Sequence, residues 1–472
     1  MTTPPPTALL TGRPAVLVLA AVLTASFMEL LDATIVSVAL PAIAADLGAG
    51  DAALQWTVAG YTLAVGAGLI TGGRAGDAYG RRRVFLAGLS AFTLASAGCG
   101  LAPDAAVLVG ARVAQGLAGG LMIPQVFGVI RASFEPAARA RALGAYGAVL
   151  GLASVAGPLL GGVLVEADLF GLGWRAIFWV NVPIAAVGLA LGARHLPDSR
   201  EPGRVRLDLP GAALAACAAV LLLLPLVQGR EWGRPWWSYV ILALAVPVTA
   251  VFLARQRRLA ERGGQPVLDP ALLRVRAFAG GLAASLLFFG ALGSFFLVLS
   301  LYLQSGAGYS ALETGLVILP YAVGSIITSG LGVRAGRGTL VAGSLTLAAS
   351  QVVLHLVVSG GAEPAAWLLA APMLLGGLGL GLTAPGLINV VLAGVPARDA
   401  GAAGGVLTTV TQIGNAVGVA VLGLIFFDAL EAAGGTPGLA AYSGAMSAVL
   451  PWQALCYVGA AALMFLLPKQ TR

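Results

Sequence analysis

The chain has 472 residues, 58% of them hydrophobic and only 10% charged, whereas soluble domains average about 45–50% apolar and about 25% charged residues. No soluble fold could bury that much apolar surface, so the bilayer is the solvent, and the formal charge of +7 is scattered through short loops rather than gathered into a nucleic-acid-binding face. Cys99, Cys217 and Cys456 all lie inside apolar runs, which argues for neither a disulfide framework nor a metal cluster.

A membrane-crossing helix needs about 20 predominantly apolar residues. Cutting the chain wherever charge, Gly/Pro clusters or capped turns interrupt such runs predicts an all-α polytopic membrane protein with fourteen spans. In chain order they lie near 15–40, 54–73, 83–102, 105–125, 142–165, 176–195, 210–228, 238–255, 278–304, 313–333, 339–358, 366–392, 401–427 and 448–468. The first follows Arg13, contains Glu29 and Asp32 and runs to Pro41, so it reads as an uncleaved span and not a signal peptide.

With both termini on the cytoplasmic side, 23 of the 27 Lys and Arg residues fall in cytoplasmic loops, among them Arg81 to Arg83, Arg131, Arg139 and Arg141. That segregation obeys the positive-inside rule and sets the orientation. The outer loops hold Asp46, Asp51, Asp104, Glu166, Asp168, Glu363 and Glu431, with Trp232, Trp236 and Trp237 as an interfacial belt. Two long basic inner segments, Arg194 to Arg206 and Arg255 to Arg276, set spans seven and eight apart. The expected organisation is a six-helix bundle over 1–198, two inserted spans with basic linkers over 199–264, and a second six-helix bundle over 265–472. Gly73 to Arg81 after span two is echoed by Gly332 to Arg337 after span ten, as expected of repeated halves with a site between them.

The run Gly73 to Arg83 (GRAGDAYGRRR) resembles the inner-loop signature of the major facilitator superfamily, carried here by Gly73, Asp77, Gly80, Arg81 and Arg82, with Ala75 at a position usually held by a larger apolar residue. Gly80 permits a tight turn between spans two and three, and Asp77 can accept hydrogen bonds from a helix N-terminus or an arginine, so the expectation is a conformational gate that locks the inner face, with a topogenic positive loop as the bland alternative. Arg112-Val113-Ala114-Gln115-Gly116 is similar to the superfamily's membrane-embedded arginine motif. Gly157-Pro158-Leu159-Leu160-Gly161-Gly162 resembles the antiporter motif of exporters, with Ala153 where a glycine is usual. Leu31 to Pro41 (LDATIVSVALP) resembles the first-span signature of the fourteen-span drug:proton antiporter branch (QacA/EmrB type), with Ser37 in place of the usual Asn. Trp174-Arg175-Ala176-Ile177-Phe178, with Asn181 and Pro183, is similar to that branch's entry to span six. The resemblance implies the major facilitator fold, two six-helix bundles plus two inserted spans.

A charged side chain inside a span costs at least about 2.5 kcal/mol, so each is a functional hypothesis that must name its partner. Glu29 and Asp32 are three residues apart on one helix and share a face. At a rise of about 1.5 Å per residue, Asp32 lies about 13 Å inward of Pro41 and Arg112 about 10 Å inward of Ala105. The three meet if spans one and four are neighbours, as the resemblance implies. Mutual repulsion and burial favour the neutral form of one carboxyl, while Arg112 favours ionisation of its nearest partner. That is the physics of a proton carrier: protonation of Asp32 or Glu29 loosens the pairing with Arg112 and permits the switch between access states. Glu29 could instead recognise a cationic substrate, and a static ionic staple is the bland alternative. His355, Glu313 and Asp428 read as peripheral and solvated, and Arg175 as a capping or snorkelling residue. Phe288, Phe289, Phe295, Phe296, Tyr302, Tyr321, Gln412 and Asn415 lie on second-half helices that the family fold places around a central cavity. Lining or core burial are even alternatives for them, and an apolar cavity with few polar handles would bind lipophilic molecules broadly.

No phosphate loop and no nucleophile or metal constellation occurs, so the expectation is a non-enzymatic transporter without cofactor, driven by the proton gradient. The function expected is proton-coupled antiport that exports small lipophilic compounds, cationic or neutral, across a cytoplasmic membrane, by a monomer whose partners are substrate, protons and lipid. A dedicated transporter of one metabolite, or a membrane scaffold or sensor, is the competing class. Arg far outnumbers Lys, with Lys469 alone, and the Ala/Gly bias points to a GC-rich bacterial genome.

Overall fold

The computed structural model describes residues 12–197, 208–264, 266, 272–333, 336–360, 365–393, 400–434 and 438–467, and these are helical throughout apart from turns. The α-helices are α1 (Gly12–Leu47), α2 (Asp51–Tyr79), α3 (Arg81–Gly100), α4 (Ala105–Ser133), α5 (Pro136–Glu166), α6 (Ala176–Trp179) and α7 (Asn181–His195). They continue with α8 (Leu209–Gln228), α9 (Trp236–Glu261), α10 (Arg276–Leu301), α11 (Ala311–Val333), α12 (Arg337–Val358), α13 (Ala366–Ala393), α14 (Ala400–Ala432) and α15 (Leu439–Met464). A π-helical turn, Tyr302–Gly306, ends α10.

The helices sort into two groups with the same internal packing. In the first, α1 packs on α5 and α7, α4 on α2 and α3, and α3 on α7. In the second, α10 packs on α14 and α15, α13 on α11 and α12, and α12 on α15. Replacing α1, α2, α3, α4, α5 and α7 by α10 to α15 in order maps one set of pairings onto the other. The weak echo between Gly73–Arg81 and Gly332–Arg337 is the sequence trace of this repetition. The groups meet where α2 crosses α14 and α5 crosses α11. Helices α8 and α9 pair with each other, and α8 leans on both α2 and α14. Most residues of α9 are half-buried or exposed, with Val240, Leu244, Val246 and Val251 turned outward, as befits a lipid-facing helix.

Close helix packing follows from the glycines. Between α2 and α4, a Cβ at Gly68, Gly72, Gly116 or Gly120 would come within 3.0 Å of backbone of the facing helix. Small residues let helices approach in a bilayer, where apolar surface gains nothing by leaving lipid.

Twelve helices among the described residues are long and apolar enough to cross a membrane. The count is two short of the expected fourteen: α2 and α5 are not among the twelve, and each contains residues outside the described ones, which leaves α5 the shorter apolar stretch Ala156–Glu166. Both helices are packed between neighbours, α2 between α4 and α14 and α5 between α1 and α11.

Candidate functional site: a buried carboxylate hub in the first bundle

Asp32 lies midway along α1 and Arg112 one to two turns into α4, and neither is more than 1% exposed. Opposed helix directions bring them level. Arg112 Nη1 donates to Asp32 Oδ2 at 2.5 Å and to Gln115 Oε1 at 2.8 Å, and Arg112 Nε donates to the Thr57 carbonyl of α2 at 3.2 Å. The second carboxylate oxygen, Oδ1, accepts from Gln115 Nε2 at 2.8 Å and from Asn181 Nδ2 of α7 at 2.7 Å. Asn181 Nδ2 also lies 3.0 Å from Ser96 Oγ on α3, which donates to the Phe178 carbonyl at 2.9 Å. The guanidinium sits on the face of Tyr61, 3.9 Å from its centroid, a placement that stabilises a cation without a further anion.

One carboxylate thus ties together five helices, α1, α2, α3, α4 and α7. Charge-assisted bonds are the strong ones, and in a low-dielectric interior a half-satisfied network costs more than an apolar one. Asp32 is satisfied by three donors. The opposite amide atom, Asn181 Oδ1, is buried without a partner.

Glu29 is one turn away on α1 and half-buried. It makes no ion pair among the described residues. The Tyr61 hydroxyl faces it, and its stem lies near Gly119 of α4, where an added Cβ would sit 3.8 Å from Glu29 Cγ. Of the three charges expected to meet, Asp32 and Arg112 pair, and Glu29 stands beside them as a carboxyl with no cation of its own.

The glycines of the strip Gly157 to Gly162 back this hub. A Cβ at Gly157 would fall within 3.0 Å of Thr34, and one at Gly161 would lie 2.9 Å from Ile35 Cγ1. Gly162 meets the other bundle, where a Cβ would lie 2.6 Å from the Ala311 carbonyl of α11. Pro158 packs at the same crossing, its carbonyl 2.7 Å from where a Cβ on Gly315 would sit. The strip Gly157-Pro158-Leu159-Leu160-Gly161-Gly162 is therefore the contact through which α5 is held between α1, next to Asp32, and α11.

At the turn expected to act as a gate, Gly80 has φ +96°, closes α2 through a 2.9 Å bond from its N–H to the Gly76 carbonyl and opens α3. A side chain there would be strained. Arg81 Nη1 donates to the Gly128 carbonyl of α4 at 3.2 Å, and Arg82 to the Ala193 carbonyl of α7. Gly73 is in open contact with Pro124 of α4. These ties lie inside the first bundle. The Asp77 side chain lies outside the described residues.

Phe288, Phe295, Tyr302 and Tyr321 are at most 3% exposed and pack inside the second bundle, Phe295 stacked on Tyr321 at 5.8 Å. In this conformation they form core and do not line an open cavity; the physical reason is that α10, α11 and α15 turn these rings toward one another, with Phe288 also 5.5 Å from Tyr457. Gln412 and Asn415 are half-buried, Gln412 against Gly66 of α2 and Asn415 against Gly293 of α10, and Asn415 Nδ2 donates to Gln412 Oε1 at 3.3 Å. Glu313 caps α11 reciprocally with Ser310, bonds of 2.7 and 3.1 Å, an arrangement that satisfies two free helix N–H groups. Arg175 bridges to Asp46 at 2.5 Å and to the Ala102 carbonyl at 3.2 Å. Asp428 pairs with Arg234, and His355 is half-buried with Nδ1 unpartnered.

Gln115, Asn181, Ser96, Thr57 and Tyr61 were not singled out from sequence as site residues. Gln115 carried a signal, three residues after Arg112 and hence on its face. Asn181 stood in a family-like motif without an assigned role. Nothing local marks Ser96, Thr57 or Tyr61.

Two packed helical bundles joined by glycine-lined crossings, with a buried carboxylate–arginine pair in one of them, define a polytopic membrane transporter. The chain belongs to the Major Facilitator Superfamily, whose signature matches residues 22–419. It is 41% identical over 87% of its length, and over 72% of the relative, to a probable actinorhodin transporter of Streptomyces coelicolor. It is 37% identical to the puromycin resistance protein of Streptomyces alboniger, covering 88% of this chain and 82% of the relative. The cephamycin export protein of Amycolatopsis lactamdurans is also 37% identical, covering 84% and 82%. Among solved structures, a bacterial homologue of the lysosomal transporter Spinster superposes with a TM-score of 0.65 at 16% identity over 97% of both chains. A peptide transporter solved with sulfate superposes with a TM-score of 0.66 at 17% identity over 98% of both.

Proposed function

We propose that this protein is a proton-coupled antiporter that exports small lipophilic compounds, antibiotics or drugs, across a bacterial cytoplasmic membrane by alternating access. The observation that carries the coupling is the Asp32–Arg112 pair, fully buried, bonded to α2 and α7 and through Asn181 to α3, with the Glu29 carboxyl, which makes no ion pair among the described residues, one turn away. A proton or a cationic substrate arriving at Glu29 changes the field at Asp32. Neutralising Asp32 removes the anion that holds Arg112, Gln115 and Asn181 together, so α1, α4 and α7 are freed to move. The proton gradient is the energy source and no cofactor takes part. Relatives named for actinorhodin, puromycin and cephamycin support export of antibiotics as the substrate class.

The same reading places α2 and α5 across the membrane with the twelve apolar helices. They are 29 and 31 residues long, about 44 and 46 Å at 1.5 Å per residue, more than the roughly 30 Å hydrocarbon core. Fourteen spans leave both termini and the Gly80 turn in the cytoplasm and the Asp46 end outside, in keeping with the charge segregation. The division is a six-helix bundle over 1–198, the inserted hairpin over 199–264 and a second bundle over 265–472, acting as a monomer. The test is proton movement in proteoliposomes on addition of cationic dyes or neutral antibiotics, with Asp32→Asn and Glu29→Gln alongside. Substrate-evoked proton flux that Asp32→Asn abolishes is the expected result. Transport without proton movement, or an unaffected Asp32→Asn, refutes the coupling and leaves the hub a static staple.

A further inference from the structure

The two helices that neither bundle repeats, α8 and α9, are joined by a short turn that carries an ion cluster at the end of the molecule opposite Gly80. Arg230 Nη1 bonds Asp51 of α2 at 2.8 Å, while its Nε bonds Glu431 of α14 at 2.9 Å. One guanidinium therefore grips both bundles at once. Arg234 pairs with Asp428 of α14, and Arg230 Nε lies 3.9 Å from the same carboxylate. Glu231, from the same turn, accepts the Ala52 N–H of α2 at 3.2 Å, meeting an unsatisfied donor at a helix N-terminus. The turn reaches toward α2 with one side chain and toward α14 with another, and Arg230 toward both.

That end of the molecule is closed in this structure by contacts that join the bundles. Gln304 Nε2 donates to the Val38 carbonyl of α1 at 2.8 Å, and Gly162 of α5 abuts α11. Alternating access is a rocking of one bundle against the other, so opening this end must separate α2 from α14, and the Arg230 grip spans that gap.

We infer that the α8–α9 turn is a cross-bundle clasp, with Arg230 as the positioning residue that holds the outer end closed and is released when substrate leaves. The inference rests on the alternating-access reading, but it concerns which conformer is populated and is tested without transport. Arg230 is 24% exposed and its partners Asp51 and Glu431 39% and 67%, so the clasp is a tunable latch and not a permanent staple. Salt at molar concentration, where the screening length is about 3 Å, weakens such pairs.

Spin labels at Ala106→Cys, at the start of α4, and Ala365→Cys, just before α13, report the outer separation of the bundles; both positions are exposed, and Cys217→Ser removes the exposed native thiol. In nanodiscs, Arg230→Gln is expected to raise the ratio of long to short distances about fivefold. Arg255→Gln, which breaks the Asp208 pair at the opposite end of the same hairpin, is expected to leave the ratio unchanged. In the Arg230-containing protein, about 1 M salt should shift the distribution the same way, a readout that holds even if Arg230→Gln fails to fold. A distribution that neither Arg230→Gln nor salt moves, or an equal shift in Arg255→Gln, overturns the clasp.

Discussion

Neutralising both partners of the Asp32–Arg112 pair should destabilise the protein no more than neutralising either one alone. The two side chains are 0% and 1% exposed, so water does not screen the change. Removing one member of a buried pair leaves an uncompensated charge and costs about 3–5 kcal/mol. In Asp32→Asn the guanidinium keeps Gln115 Oε1 and the Thr57 carbonyl; in Arg112→Gln the carboxylate keeps the Gln115 and Asn181 amides. Those retained bonds place each single variant near the lower bound, about 3 kcal/mol. The double variant puts two neutral amides in nearly the same volume and leaves only imperfect hydrogen bonds, about 2–3 kcal/mol below the parent. The singles sum to about 6 kcal/mol, so the pair should show a coupling energy of about 3 kcal/mol, the upper end of what contacting residues display. Reversible unfolding of the four proteins in mixed micelles measures it. The double variant should fold better than the sum of the singles allows and still fail to move protons with substrate. Additive losses would show that the two charges do not depend on each other, and the hub as described would be wrong.

Asn181→Leu removes donors to both Asp32 and Ser96 and should cost about 1–3 kcal/mol; it should also displace the pH profile of transport, which a purely structural loss would not. Gly161→Val places a branched side chain where even a Cβ lies 2.9 Å from Ile35 Cγ1; transport in vesicles should fall at least tenfold, and wild-type rates would refute the α1–α5 contact. Gly80→Ala forces a side chain to φ +96° and should destabilise by about 1–2 kcal/mol, read as a lower unfolding midpoint. Asp208 lies before α8, outside the apolar spans. Burial alone would raise its carboxyl, but bonds from Gln256, the Gly211 N–H and Arg255 outweigh this and hold it below the usual value of 3.8. A carboxyl depressed on folding stabilises above its unfolded value and loses that stabilisation as pH falls through its folded value. The stability difference between the parent and Asp208→Asn should therefore be fully present at pH 7, begin to shrink as pH falls through about 3.8, and vanish only below the lower folded value.

The fold class was legible because a bilayer imposes a coarse rule, long apolar runs bounded by charged loops, that needs no knowledge of neighbours. The hub was half legible. Asp32 and Arg112 announce themselves because a charge inside a span is expensive, and their depths could be counted from helix rise alone. Ser96, Thr57 and Tyr61 could not be found that way, since hydroxyls and carbonyls in a span are cheap when bonded locally and become partners only once helices cross. The rings of Phe288, Phe295, Tyr302 and Tyr321 illustrate the same limit: an aromatic residue reads alike whether it faces lipid, a cavity or another ring.

By itself the sequence determined that the chain lives in a membrane, that its halves repeat, and that carboxylate and guanidinium share the first of them. Only the tertiary structure decided that Asp32 and not Glu29 takes the arginine, that Asn181 and Gln115 complete the shell, and that Arg230 joins α2 to α14. The reason is range. Hydropathy and helical rise act within a segment, whereas the partners of hydrogen bonds between helices lie 55 to 149 residues apart around the hub and 179 to 201 apart in the clasp, and only the crossing of helices brings them within hydrogen-bond distance.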